Sequence, residues 1–163
     1  MIFVGIDPGK SGGIAYIRTD ASGKIFDTLA LPLNSKNLLG FSLLLQSYDK
    51  TERIVVLEQV HSMPGQGVAS MFTFGEGFGY IKGVLEKSDV EYELVPPAKW
   101  KKALGVTSEK QTSIDKAKEL FPDTDFFATP RCKKESDGLC EAMLMAEYGR
   151  MEFLKKLHIE AVK

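Results

Sequence analysis

The chain has 163 residues, 44% apolar and 26% charged, the balance of one globular domain with a real core and not of a disordered segment. No apolar run approaches a membrane span, and no basic start, apolar run and small-residue cleavage site mark a signal peptide. The formal net charge of −1 argues weakly against a nucleic-acid partner, but it averages over basic clusters at Lys99, Lys101 and Lys102 and at Arg131, Lys133 and Lys134.

Residues 2–7 read as a strand buried on both faces and closed by Asp7. The turn Pro8-Gly9-Lys10-Ser11-Gly12-Gly13 follows, then a strand near Ile14–Arg18. Ser22-Gly23 marks a hairpin into a third strand, Lys24–Leu31. Residues 36–48 carry Leu38, Leu39, Phe41, Leu44, Leu45 and Tyr48 at helical spacing. A fourth strand, 53–58, ends on Glu58 and should run parallel to the first, because a helix crosses between them. After the loop His61–Gly67 the pattern predicts a long helix over Val68–Lys87, then a short fifth strand, Tyr92–Val95, stopped by Pro96-Pro97. Short helices are expected at 98–103 and 108–120, the second opened by a capping box of Ser108 and Gln111. Residues 122–135 read as loop. A last helix starts after Ser136 as N-cap and runs to about Tyr148, with another turn or two beyond Gly149.

Cys132 and Cys140 offer neither a metal-site spacing nor a disulfide framework, which points to a reduced, intracellular protein. Three antiparallel strands, a helix, a parallel strand, a helix, a fifth strand and closing helices describe an α/β, ribonuclease-H-like fold. Its five-stranded mixed sheet, flanked by helices, forms a single domain over residues 1–163.

Asp7 and Glu58 close apolar strands, and Asp137 and Glu141 stand one helical turn apart. Burying carboxylates is costly unless something compensates, and hard divalent cations take carboxylate oxygens. Two metals about 3.5–4 Å apart can activate a water and stabilise the leaving oxygen of a phosphodiester, so the four acids point to a metal-dependent nuclease. Lys110, a cation in the first turn of a helix, sits against the helix dipole; it reads either as a phosphate-binding donor or as a surface lysine. In the 61–67 loop, Gly65 and Gly67 permit close backbone approach, and Gln66 could read a base edge. Phe72 could stack or wedge against bases, whereas Phe74 and Phe78 at helical spacing read as core. Gly75, Gly79 and Gly83 fall on one helical face and suggest close packing, against a helix of this chain or of a second subunit. His61, His158 and Trp100 read as loop, surface and core residues respectively.

The chain resembles the RuvC-like Holliday junction resolvases, above all the plant chloroplast type and its bacteriophage relatives. The resemblance rests on Gly5-Ile6-Asp7-Pro8-Gly9, Leu57-Glu58, the stretch Met63–Phe78, Val95-Pro96-Pro97 with Lys99-Trp100-Lys101, Ser108-Glu109-Lys110, and Asp137-Gly138 with Glu141-Ala142. It implies a homodimeric endonuclease of recombination and repair, using two Mg²⁺ or Mn²⁺ ions to nick four-way DNA symmetrically. Asp7, Glu58, Asp137 and Glu141 would be metal ligands, and Lys110 a catalytic lysine. Met63, Gly65, Gln66, Gly67, Phe72, Lys99, Lys101, Lys102, Arg131, Lys133 and Lys134 would touch DNA, and the helix near 68–87 would form the dimer interface. A bacterial or phage protein is implied, or a mature organellar one, with no membrane and no nucleotide cofactor. The final acid departs from the expected Asp, and it lies four residues after Asp137 where bacterial RuvC enzymes have three. The alternatives are a nuclease that debranches forks and a non-catalytic DNA-binding relative. An actin-like phosphotransferase would need a second domain that 163 residues do not supply.

Overall fold

The computed structural model describes residues 1–61, 65 and 67–161. Five strands, β1 (Ile2–Ile6), β2 (Gly13–Thr19), β3 (Ile25–Pro32), β4 (Arg53–Glu58) and β5 (Glu93–Val95), form one sheet in the order β3-β2-β1-β4-β5. β1–β2 and β2–β3 are antiparallel; β1–β4 and β4–β5 are parallel. The expected mixed sheet is therefore present. The β2–β3 ladder slips between Arg18 and Thr19, a bulge that bends the hairpin at the open β3 edge.

Helices α1 (Ser35–Gln46) and α2 (Val68–Lys87) cover one face, and α3 (Pro97–Leu104), α4 (Lys110–Leu120) and α5 (Asp137–Ala161) the other. The side-chain period of two sorts β1 accordingly: Ile2, Val4 and Ile6 pack toward α1 and α2, while Phe3 packs toward α5. Gly5 also faces α5, and there the helix lies on the strand itself. A Cβ at Gly5 would sit 2.0 Å from the Ala142 carbonyl oxygen and 2.5 Å from the Ala146 nitrogen. Continuing the alternation turns Asp7 to the α5 side, and the same rule turns Glu58 there at the end of β4.

Two features differ from the sequence expectations, and a third bears on an alternative left open. α5 runs to Ala161, well past Tyr148, because Gly149 carries no side chain and the helix continues over Ile54 and Val56. The capping box does not form. Glu109 occupies the N-cap position of α4 without a side-chain cap bond, Gln111 donates to Asp115 at 2.8 Å, and the turn is tied instead by Thr107 and Thr112. The third concerns the Gly75, Gly79 and Gly83 face of α2. Among the described residues nothing lies within 4 Å of a Cβ built at any of the three, so no helix of this chain packs there.

Candidate active site

The four acids come together at the C-terminal ends of β1 and β4, on the α5 side of the sheet. Parallel pairing of β1 with β4 sets Ile6 beside Leu57, so Asp7 and Glu58 leave adjacent strands at the same level. α5 begins on Asp137, and Glu141 follows one turn later, turned toward Lys101 on α3 and Ser113 on α4. Gly138 permits the junction: a Cβ there would lie 2.1 Å from the Ser11 carbonyl oxygen and 3.0 Å from an Asp7 carboxylate oxygen.

Each carboxylate is held by a donor. Asp7 Oδ1 accepts the Gly9 N–H at 2.9 Å. Glu58 Oε1 accepts the indole N–H of Trp100 at 3.0 Å. Glu141 Oε1 accepts from Lys101 Nζ at 2.7 Å and from Ser113 Oγ at 3.1 Å. Asp137 pairs with the Lys110 ammonium. Asp7 and Glu58 are both 8% exposed, which decides their electrostatics. Burial, then the Glu58, Glu141 and Asp137 charges, push Asp7 up to about 7 against the Gly9 N–H that favours its ionised form. Burial likewise holds Glu58 above the usual carboxylate range, with Glu141 adding to the rise and Trp100 and Lys101 opposing it. Lys110 is raised by its bond to Asp137.

The donor set suits hard divalent ions. It is all carboxylate oxygen, and Asp7 carries a charge deficit that a cation would relieve. Among the described residues no three acids, histidines or cysteines already stand as a closed ligand cluster; the protein's own ammonium groups and donors occupy these carboxylates instead.

The other candidate residues are dispersed around this centre. Gly65, in the left-handed region at φ +85°, and Gly67 are exposed, and Phe72 stands 72% exposed on α2. Met63 and Gln66 lie outside the described residues. Lys99 pairs with Glu93 at 3.4 Å and covers the Tyr148 ring. Lys101 is drawn inward onto Glu141, while Lys102, Arg131, Lys133 and Lys134 are exposed. Phe74 and Phe78 are half-buried, and Phe78 packs on the α1–α2 core; His61 and His158 are exposed. Sequence reasoning missed two residues. Trp100 is buried as expected, but its N–H is spent on Glu58, and Ser113 is a fully buried hydroxyl aimed at Glu141. The only sequence signal for either is that an indole or hydroxyl placed in a core needs an acceptor. A cleft of about 830 Å³ meets the site at Pro8 and Gly9 but runs between α1 and α2, away from the carboxylates.

No family model matches the chain, and no curated protein matches it in sequence. Solved structures do. The chain is similar to Thermus thermophilus RuvC, with 18% identity, 93% of this chain and 97% of that chain covered, and a TM-score of 0.57. The fold is that of RuvC. The likeness extends to T. thermophilus RuvC in complex with its Holliday junction substrate, at 18% identity, 93% and 96% coverage and a TM-score of 0.55. Fowlpox virus resolvase with its junction DNA also matches, at 15% identity over 96% and 99% of the chains. Its TM-score is 0.43.

Proposed function

We propose that the chain is a structure-selective endonuclease that resolves four-way DNA junctions by nicking two strands symmetrically, with Mg²⁺ or Mn²⁺. One observation carries the reading: on a RuvC fold, Asp7 and Glu58 leave paired strands at one level and α5 starts beside Asp7, which brings Asp137 and Glu141 to the same end of the sheet. The Thermus protein of the same fold is known in complex with a Holliday junction substrate, which supports branched DNA as the ligand.

These four carboxylates would hold two metal ions, which supply an activated water and a stabilised leaving oxygen. Lys110, 76% exposed at the rim and paired with Asp137, offers its ammonium to the phosphate being cut. Ser113 and Lys101 fix Glu141 from one side. Lys102, Arg131, Lys133 and Lys134 neutralise flanking phosphates, with Lys99 three residues before Lys102 on α3. Phe72 presents a ring to unpaired bases beside Gly65 and Gly67, and Met63 and Gln66, their neighbours in sequence, join them in contacting DNA. The bare Gly75, Gly79 and Gly83 face of α2 is the surface on which a second copy packs, giving two centres for two nicks.

The test is a synthetic junction, fork and linear duplex incubated with and without Mn²⁺, with cut sites mapped. Paired symmetric cuts confined to the junction are expected, and preferential cutting of forks would make the protein a debranching nuclease. Asp7→Asn and Glu141→Gln should bind the junction as the parent does while nicking falls by at least about a thousandfold, the scale of losing groups essential to the reacting centre. Nicking by either variant at the parent rate would refute the site.

A further inference from the structure

We infer that Trp100 is the positioning residue of Glu58, and that α3 aims two of the four carboxylates through consecutive side chains. This deepens the metal-site reading above and rests on it. The geometry begins with β5. Its parallel pairing sets Val95 opposite Glu58, and the Gln59 N–H donates to the Val95 carbonyl at 2.8 Å. Pro96-Pro97 ends the strand at once, and Pro97 opens α3, so Trp100 arrives about one turn later over the end of β4. Its ring is 0% exposed in the α5-side core, and its N–H reaches Glu58 Oε1 at 3.0 Å. A core position needs only a large apolar ring, which phenylalanine would supply; an indole adds a donor that must be paired when buried. Glu58 meets that need, so any swing of its carboxylate away from the centre strands the donor in the core. The next residue repeats the device. Lys101 Nζ lies 5.0 Å from the Trp100 ring centroid and 2.7 Å from Glu141. One short helix thus fixes an acid on β4 and an acid on α5, as partners of metal ligands commonly do.

Trp100 is the only tryptophan of the chain, so a ¹⁵N-labelled sample gives one indole N–H resonance. That resonance should move on Glu58→Gln and again when Mg²⁺ is added to the parent protein. Replacing Trp100 by benzothienylalanine keeps the ring shape and removes the donor. Mn²⁺ binding by calorimetry should then weaken about tenfold with the thermal midpoint preserved, and Trp100→Phe should show the same loss with a lower midpoint. In a Glu58→Gln background the benzothienyl replacement should cost less Mn²⁺ affinity than it does in the parent, whereas a packing role predicts no loss from it in either. An indole resonance indifferent to Glu58→Gln, or undiminished Mn²⁺ affinity in the benzothienyl protein, overturns the inference. A parent protein that binds no Mn²⁺ sinks the metal-site reading instead, while the resonance still reports on the Trp100–Glu58 bond.

Discussion

Asp7 is a carboxyl that folding places where its charge is unwelcome. With burial and three acids raising it from the usual 3.8 to about 7, the folded chain holds the Asp7 proton more tightly than the unfolded chain. Its contribution to stability is therefore full below about pH 4 and is lost as pH rises through 7. In chelator, Asp7→Asn should melt higher than the parent at pH 8, by up to about 4 kcal/mol, and the gap should close toward pH 4. Thermal melts of both proteins across that range check this, and a gap independent of pH would contradict it. The four acids were legible in the sequence because Asp7 and Glu58 close apolar runs, Asp137 opens a helix and Glu141 follows it by one turn. The partners that orient them were not. Periodicity reports that Trp100 is buried but not where its N–H points, and a lysine run reads as a phosphate contact whether or not one member folds inward, as Lys101 does.

At the scale of elements, α5 is the axis of the molecule, lying directly on β1 at Gly5. Gly5→Ala would drive a methyl into the α5 backbone at Ala142 and Ala146, contacts no rotamer can relieve, and should cost about 3 kcal/mol or more. Denaturant unfolding measures that loss; a change below about 1 kcal/mol would mean the helix can lift off the strand. α2 presents the opposite case. Its bounds, Val68–Lys87, follow from the pattern alone, and so does its glycine stripe, but a sequence cannot say whether a partner lies within the chain. Gly79→Leu should fold normally, since Gly79 is exposed and nothing described lies within 4 Å of a Cβ there, and should weaken self-association at least tenfold by sedimentation. Unchanged association would remove α2 from the proposed dimer contact. The length of α5 escaped the reading because glycine within a helix is ordinarily a breaker, and only the sheet beneath Gly149 gives the reason for one.

For the molecule as a whole, a net charge of −1 conceals a division of labour. Acids gather at one centre, with Lys101 and Lys110 committed to them, while Lys102, Arg131, Lys133 and Lys134 stay exposed. With those four contacting phosphates, junction affinity should fall roughly a hundredfold between 50 and 200 mM salt, and filter binding across that range would show it. A flat response would remove the basic loop from the interface. The β3 margin has a separate outcome for the life of the protein in a crowded solution. Ile25–Pro32 is long, rich in apolar residues and, among the described residues, unpaired along its outer side, the shape of a template for fibrils. The kink at Arg18 and Thr19, the charged Asp27 bonded to Tyr16 and Arg18, and a terminal proline together deny a neighbouring molecule the straight, uncharged rail it would need to stack.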